Sequence, residues 1–211
     1  MIQNILLFPD LARYYGQVEE IKQDAGRLVQ GLTREQFNWC PEPGRWSIAE
    51  CLEHLNITAR LYFPLLIQTI NEARANGISS QGPFRYSWLG NWFVRSAEPP
   101  PKIKFKAPKR YRPLPGLTIS EVWPAFLVFQ DRLLELINRA NGVDLARVKI
   151  QLPTMSFIKL GLGQALGLIT AHERRHLWQA RQVKDHPNFP PLPISSVGRQ
   201  PDAVPNLVRI R

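Results

Sequence analysis

"AHERRHLWQ", residues 171–179, contains His172-Glu173-Arg174-Arg175-His176, which read literally is the H-E-x-x-H of a zinc protease helix. The rest of the chain decides against that reading. A protease of this kind needs a third metal ligand downstream. The extended pattern would place Gly at 179 and His at 182, but Gln179 and Gln182 stand there. No Glu follows Glu173, and only Asp185, His186 and Asp202 remain beyond the motif, beside prolines or in the C-terminal stretch. No convincing set of strands offers an edge on which a peptide substrate would lie. The spacing therefore serves something else: on a helix, residues four apart sit about 40° apart on one face, so His172 and His176 project together. Ala165, Ile169, Gln179, Ala180 and Val183 share that side, which turns the pair toward an interior.

Working outward, four long helical segments emerge. Leu11, Tyr14, Tyr15, Val18, Ile21, Ala25, Leu28 and Val29 recur at three- and four-residue spacing and predict a helix from Pro9 to Leu32, with Gly31 as its stop. A second begins at Ser47, where Glu50 three residues on completes a capping box. It is expected to kink at Pro64 and to end at Asn76-Gly77. A third runs over 118–142, with Val122, Phe126, Phe129, Leu133, Leu136 and Ile137 on its apolar face and Asn141-Gly142 as its stop, and residues 143–160 read as a connection. The fourth runs from Leu162 to Lys184 and is stopped by Pro187. Four helices, each with one broad apolar stripe, predict an all-α protein built as a helix bundle over residues 1–185. Residues 78–117 read as an irregular, proline-rich basic loop with a helical turn or two in 84–97. Residues 186–211 read as a proline-rich extended tail.

The chain has 211 residues and a net charge of +10. Part of that charge lies in "KIKFKAPKRYR" (102–112), where six basic residues interleave with Ile103, Phe105 and Tyr111. It is read as a solvated, proline-bounded loop, because no nucleic-acid motif accompanies it, and a nucleic-acid partner is not expected. No stretch approaches the roughly 18 apolar residues of a membrane span, so no membrane partner is expected. The N-terminus lacks a basic n-region and has only a short apolar run, so no signal peptide is read there. Cys40 and Cys51 form neither a CxxC pair nor a disulfide framework, and a cytoplasmic location is the default.

There are four histidines: His54, His172, His176 and His186. His54 falls at the edge of the apolar arc of the second helix, with Cys51, Thr58, Leu61 and Leu65. Three of the four thus point to one interior, and three neutral imidazoles make a metal site with an open position. Glu173 lies about 100° round from His172, positioned for a supporting hydrogen bond or an ion pair. Arg174 and Arg175 read as surface residues, Cys51 as a buried small hydrophobe, His186 as a helix-end residue, and Trp46 and Trp178 as packing aromatics.

"FNWCPEPGRWSIAECLEHLN" (37–56), taken with "HERRHLWQARQV" (172–183), resembles the DinB/YfiT-like superfamily. Its members join a W-S-x-x-E-x-x-x-H helix start, here Trp46 to His54, to a late H-x-x-x-H, here His172 to His176. The resemblance implies an up-down-down-up four-helix bundle with His54, His172 and His176 as ligands of a divalent metal, zinc or nickel. It also implies a small-molecule substrate. Characterised relatives include thiol transferases that use bacillithiol or mycothiol and a thiol-dependent maleylpyruvate isomerase, and many relatives are homodimers. The expected function is a metal-dependent enzyme activating water or a low-molecular-weight thiol, of hydrolase or S-transferase type. The alternatives are a non-catalytic basic binding or stress-associated protein on the same bundle, and a bundle whose metal is structural. No catalytic residue is assigned.

Overall fold

The computed structural model describes residues 7–101, 106–153 and 155–192, with the side chains of 155–157 excepted. Six α-helices and a two-stranded sheet make up the regular structure among these residues. The long helices are α1 (Pro9–Val29), α3 (Ile48–Ala75), α5 (Ile119–Arg139) and α6 (Leu162–Lys184). A short α2 (Arg34–Asn38) follows α1, and α4 (Trp88–Ala97) lies between α3 and α5. Strands β1 (Lys149–Leu152) and β2 (Met155–Gly161) pair antiparallel between α5 and α6. Helix α3 packs on α5 and α6, α1 packs on the same two helices, and α4 rests on α6.

The helix ends follow local chemistry. Ser47 caps α3: its hydroxyl accepts from the Glu50 amide at 3.1 Å, and the Glu50 carboxylate accepts from the Ser47 amide at 2.8 Å. Thr33 and Gln36 form the same reciprocal pair at the start of α2, a helix that the periodicity of so short a segment does not signal. Gly31 and Gly142, placed as stops by the sequence, adopt φ of 73° and 87° just past α1 and α5. Pro64 stands within α3, which runs on continuously through it.

One expectation is corrected in detail. Residues 143–160 are not a plain connection but carry the hairpin, whose Ile150, Leu152 and Leu160 are buried against the helices. Four residues of alternating burial are too short a pattern to stand out in the sequence. Within the loop 78–117, α4 lies where the sequence predicts a helical turn or two in 84–97, and a turn of 3-10 helix at Lys109–Tyr111 buries the Tyr111 ring. The tail docks at its start: Phe189 and His186 pack on Trp39, and the Pro190 carbonyl accepts from Gln36 Nε2 at 2.9 Å. The remainder of the tail, 193–211, and residues 102–105 of the basic stretch lie outside the described residues.

The apolar core divides in two. One cluster gathers Leu11, Tyr14 and Val18 of α1, Ala59 to Ala73 of α3, Leu133 to Ile137 of α5, the hairpin, and Leu162 to Ile169 of α6. The other gathers Ile21 to Val29 of α1, α2, Ile48 to Leu55 of α3, Val122 and Phe126 of α5, and Leu177 to Val183 of α6. The buried polar residues His54, Asn56, Gln130, Glu173 and His176 come from the stretches of α3, α5 and α6 where one cluster gives way to the other.

Candidate metal centre

Helix α6 presents His172 and His176 one turn apart, and α3 presents His54 opposite them. His172 Nε2 lies 3.3 Å from His54 Nε2 and 3.2 Å from His176 Nε2. One ring nitrogen from each of the three falls within 4.8 Å of the others. For donor bonds of about 2.0 Å in a tetrahedral arrangement, the donor–donor edge is about 3.3 Å. Two of the three separations match that edge and the third lies within 4.8 Å, so the donor set fits a divalent ion.

The tautomer of His54 is fixed by its other nitrogen. Nδ1 lies 2.7 Å from the main-chain oxygen of Tyr111, which can only accept, so Nδ1 carries the proton and Nε2 offers a lone pair to the cluster. Burial keeps the rings neutral. It lowers His54, against the opposing pull of the Tyr111 carbonyl. His172 is pushed down to about 3, by burial first and then by His54 and Arg175. His176 falls well below its ordinary value through burial, His172, His54 and Arg175, with the Gln179 side chain working the other way. Neutral imidazoles are the metal-binding form.

Trp46, the residue before the α3 cap, lies over this cluster. Its ring centroid is 4.8 Å from that of His54 and 5.6 Å from that of His176, nearly parallel to the latter at 28°. The rigid capping box at Ser47 holds the indole there. On the other side, Leu55, Thr58, Ala59, Tyr62, Phe63 and Ile169 line a gap of about 10 Å³ bounded by His172 and Glu173.

Glu173 is buried, not exposed, and meets α5 rather than an arginine. Gln130 Nε2 donates to its Oε1 at 2.9 Å, while Oε2 is buried with no hydrogen-bond partner. Desolvation pushes its carboxyl up to about 7, against the opposing effects of Gln130 and Arg174. Arg174 is half-buried rather than a surface residue: it makes a two-pronged ion pair with Glu98, Nε to Oε2 at 3.0 Å, tying α6 to the end of α4. Arg175 is partly buried as well. Cys51 is fully buried among apolar neighbours, and His186 sits apart from the cluster, against Trp39.

The structure thus brings His54, His172 and His176 together, with Tyr111 and Trp46 against them, and sets Glu173 on Gln130 beside the gap that His172 borders. Gln130 left a trace in the sequence, as an amide between Phe126 and Leu133 on the apolar stripe of α5. Tyr111 left none, because its contribution is a main-chain oxygen.

The profile of the DinB superfamily matches residues 17–180. The chain is also similar to YuaE, an uncharacterised protein of Bacillus subtilis (strain 168): 26% identical over 167 residues, which cover 79% of this chain and 94% of that one. No solved structure matches the chain.

Proposed function

The chain belongs to the DinB superfamily, and from that membership and the three convergent histidines we propose that it is a metal-dependent enzyme acting on a small molecule. His54, His172 and His176 are its metal ligands, the metal is zinc or nickel, and the reaction is a hydrolysis or a thiol S-transfer. The single observation that carries this reading is the His54 Nδ1 bond to the Tyr111 carbonyl, which leaves Nε2 free and aimed at the other two rings. A core histidine serving packing alone needs no such orientation.

When bound, a divalent ion supplies a Lewis acid that lowers the pKa of a water or thiol at the open position. The protein's own part is positional. The three imidazoles hold one side of the centre, and the Trp46 ring limits access along His54 and His176. Leu55, Ala59, Phe63 and Ile169 keep the far side apolar. Glu173, its carboxyl pushed up by burial, accepts from Gln130 on Oε1 and keeps Oε2 buried without a hydrogen-bond partner.

The up-down-down-up order belongs to the same proposal. It is supported by one core cluster joining the C-terminal halves of α1 and α6 to the N-terminal halves of α3 and α5. A homodimer, a cytoplasmic location and a low-molecular-weight thiol partner follow from the family resemblance and are proposed on that ground. No helix of the described residues is long and apolar enough to cross a membrane.

The test is elemental analysis of protein purified without added metal, wild type beside His176→Ala. Near-stoichiometric zinc or nickel lost in the variant supports the site. Thiol-transfer and hydrolase substrates are then screened on the loaded protein. Absence of metal from both proteins after reconstitution would overturn the reading. A structural metal is distinguished by unfolding on chelation. A basic binding protein is distinguished by salt-sensitive polyanion binding that survives His54→Ala.

A further inference from the structure

Helix α4 leaves large apolar residues in water. Its small residues face the protein: Gly90 and Ala97 are buried, and a Cβ at Gly90 would collide with the Gln164 amide. That amide is committed, donating to the Ser87 carbonyl at 2.8 Å and to Asn91 Oδ1 at 2.9 Å. Three large apolar residues face outward, while Phe93 and Val94 are partly buried. Trp88 is 78% exposed, Trp92 47% and Leu89 46%. Trp88, Trp92 and Arg95 stand at spacings of four and three, so they share the crown opposite Gly90 and Ala97. Leaving two tryptophans and a leucine together in water costs burial free energy that the fold could recover by exchanging faces.

The exposed charges of Arg85 and Arg95 share one sign. Arg85 precedes the helix and Arg95 lies on it, both exposed, and among the described residues neither enters an ion pair. Between Glu72 and Glu121 the chain carries nine basic residues and a single acid, Glu98, which Arg174 already engages.

We infer that the outward face of α4, Trp88, Leu89 and Trp92 with Arg85 and Arg95, docks the protein on the surface of an anionic lipid bilayer. Tryptophan and leucine enter the interfacial layer while the guanidiniums meet headgroup phosphates. A second copy is disfavoured as the occupant, because a symmetric contact would set arginine against arginine on a chain of net charge +10. The chain's own residues 193–211 are disfavoured on the same ground, since they carry three Arg and one Asp. Single-stranded nucleic acid is stacked along grooves, whereas this crown is a convex helix face that suits a plane. The absence of a spanning helix is no objection, because such a helix lies in the interface and does not cross it.

The test is co-sedimentation of the full chain with vesicles of phosphatidylcholine plus phosphatidylglycerol, against phosphatidylcholine alone. The expected result is binding to the anionic vesicles only, weakening with salt. The double substitution Trp88→Ser with Trp92→Ser should reduce binding roughly ten-fold at unchanged helical circular dichroism. Should the double variant misfold, Trp88→Ser alone, at the more exposed site, reads the same loss. Wild-type protein left in the supernatant with both vesicles overturns the inference. So does vesicle binding that survives loss of the tryptophans, or a dimer in sedimentation equilibrium that those substitutions convert to monomer. Tight oligonucleotide binding without vesicle binding overturns it in favour of nucleic acid.

Discussion

His54 and Tyr111 are joined at 2.7 Å between a ring nitrogen and a main-chain oxygen, across 57 residues of sequence. Because the acceptor belongs to the backbone, Tyr111→Phe should leave metal affinity within about two-fold of wild type. Tyr111→Gly frees the turn that positions the oxygen and should weaken affinity by roughly 10–100-fold, the usual effect of losing a residue that orients a ligand. Zinc titration against a competing chelator reads both. Equal losses in the two variants would show that the phenol, not the carbonyl, matters.

Glu173 should make the metal-free protein less stable as pH rises. Its carboxyl sits at about 7 in the folded protein against an ordinary 4.5, so between these values the native state binds more protons than the unfolded chain. Stability is full below about 4.5 and falls until pH passes about 7. Glu173→Gln keeps the shape and removes the titration. Its advantage over wild type should therefore grow by roughly 3 kcal/mol between pH 4.5 and pH 8. Urea unfolding at the two pH values measures it, and a pH-independent difference would refute it.

Trp46 covers the histidines without carrying the fold. It is half-buried at the edge of α3, so Trp46→Ala should keep the helical signal and cost about 1–2 kcal/mol. Release of metal to a chelator should accelerate by roughly ten-fold, since the ring limits solvent access to His54 and His176. Stopped-flow metal transfer decides. An unchanged release rate would leave the indole a packing residue only.

Gly163 is needed for packing, not for backbone freedom. A Cβ there would collide with the Tyr86 hydroxyl, which donates to Asp10 Oδ2 at 2.9 Å and ties the loop before α4 to α1. Gly163→Ala should cost about 1–3 kcal/mol by overpacking. Adding Tyr86→Phe removes the clashing oxygen and should recover part of the loss. Thermal melts of the two proteins test this, and an additive double variant would speak against the contact.

The sequence by itself determined the long helices and the direction of three histidines. Those features rest on local rules: the 3.6-residue period, the Ser47–Glu50 cap, the Gly31 and Gly142 stops, and the i, i+4 geometry of His172 and His176. Period and capping act within a few residues, so a linear reading captures them. Tertiary structure alone decided that the proline-rich loop returns its Tyr111 carbonyl to His54 and that the Trp46 ring spans His54 and His176. It also decided that Glu173 faces Gln130 in the dark rather than an arginine in water. Each of these depends on which segments meet across the core. The energy that decides it is the burial of apolar surface summed over all the helices, to which no single stretch of sequence holds the answer.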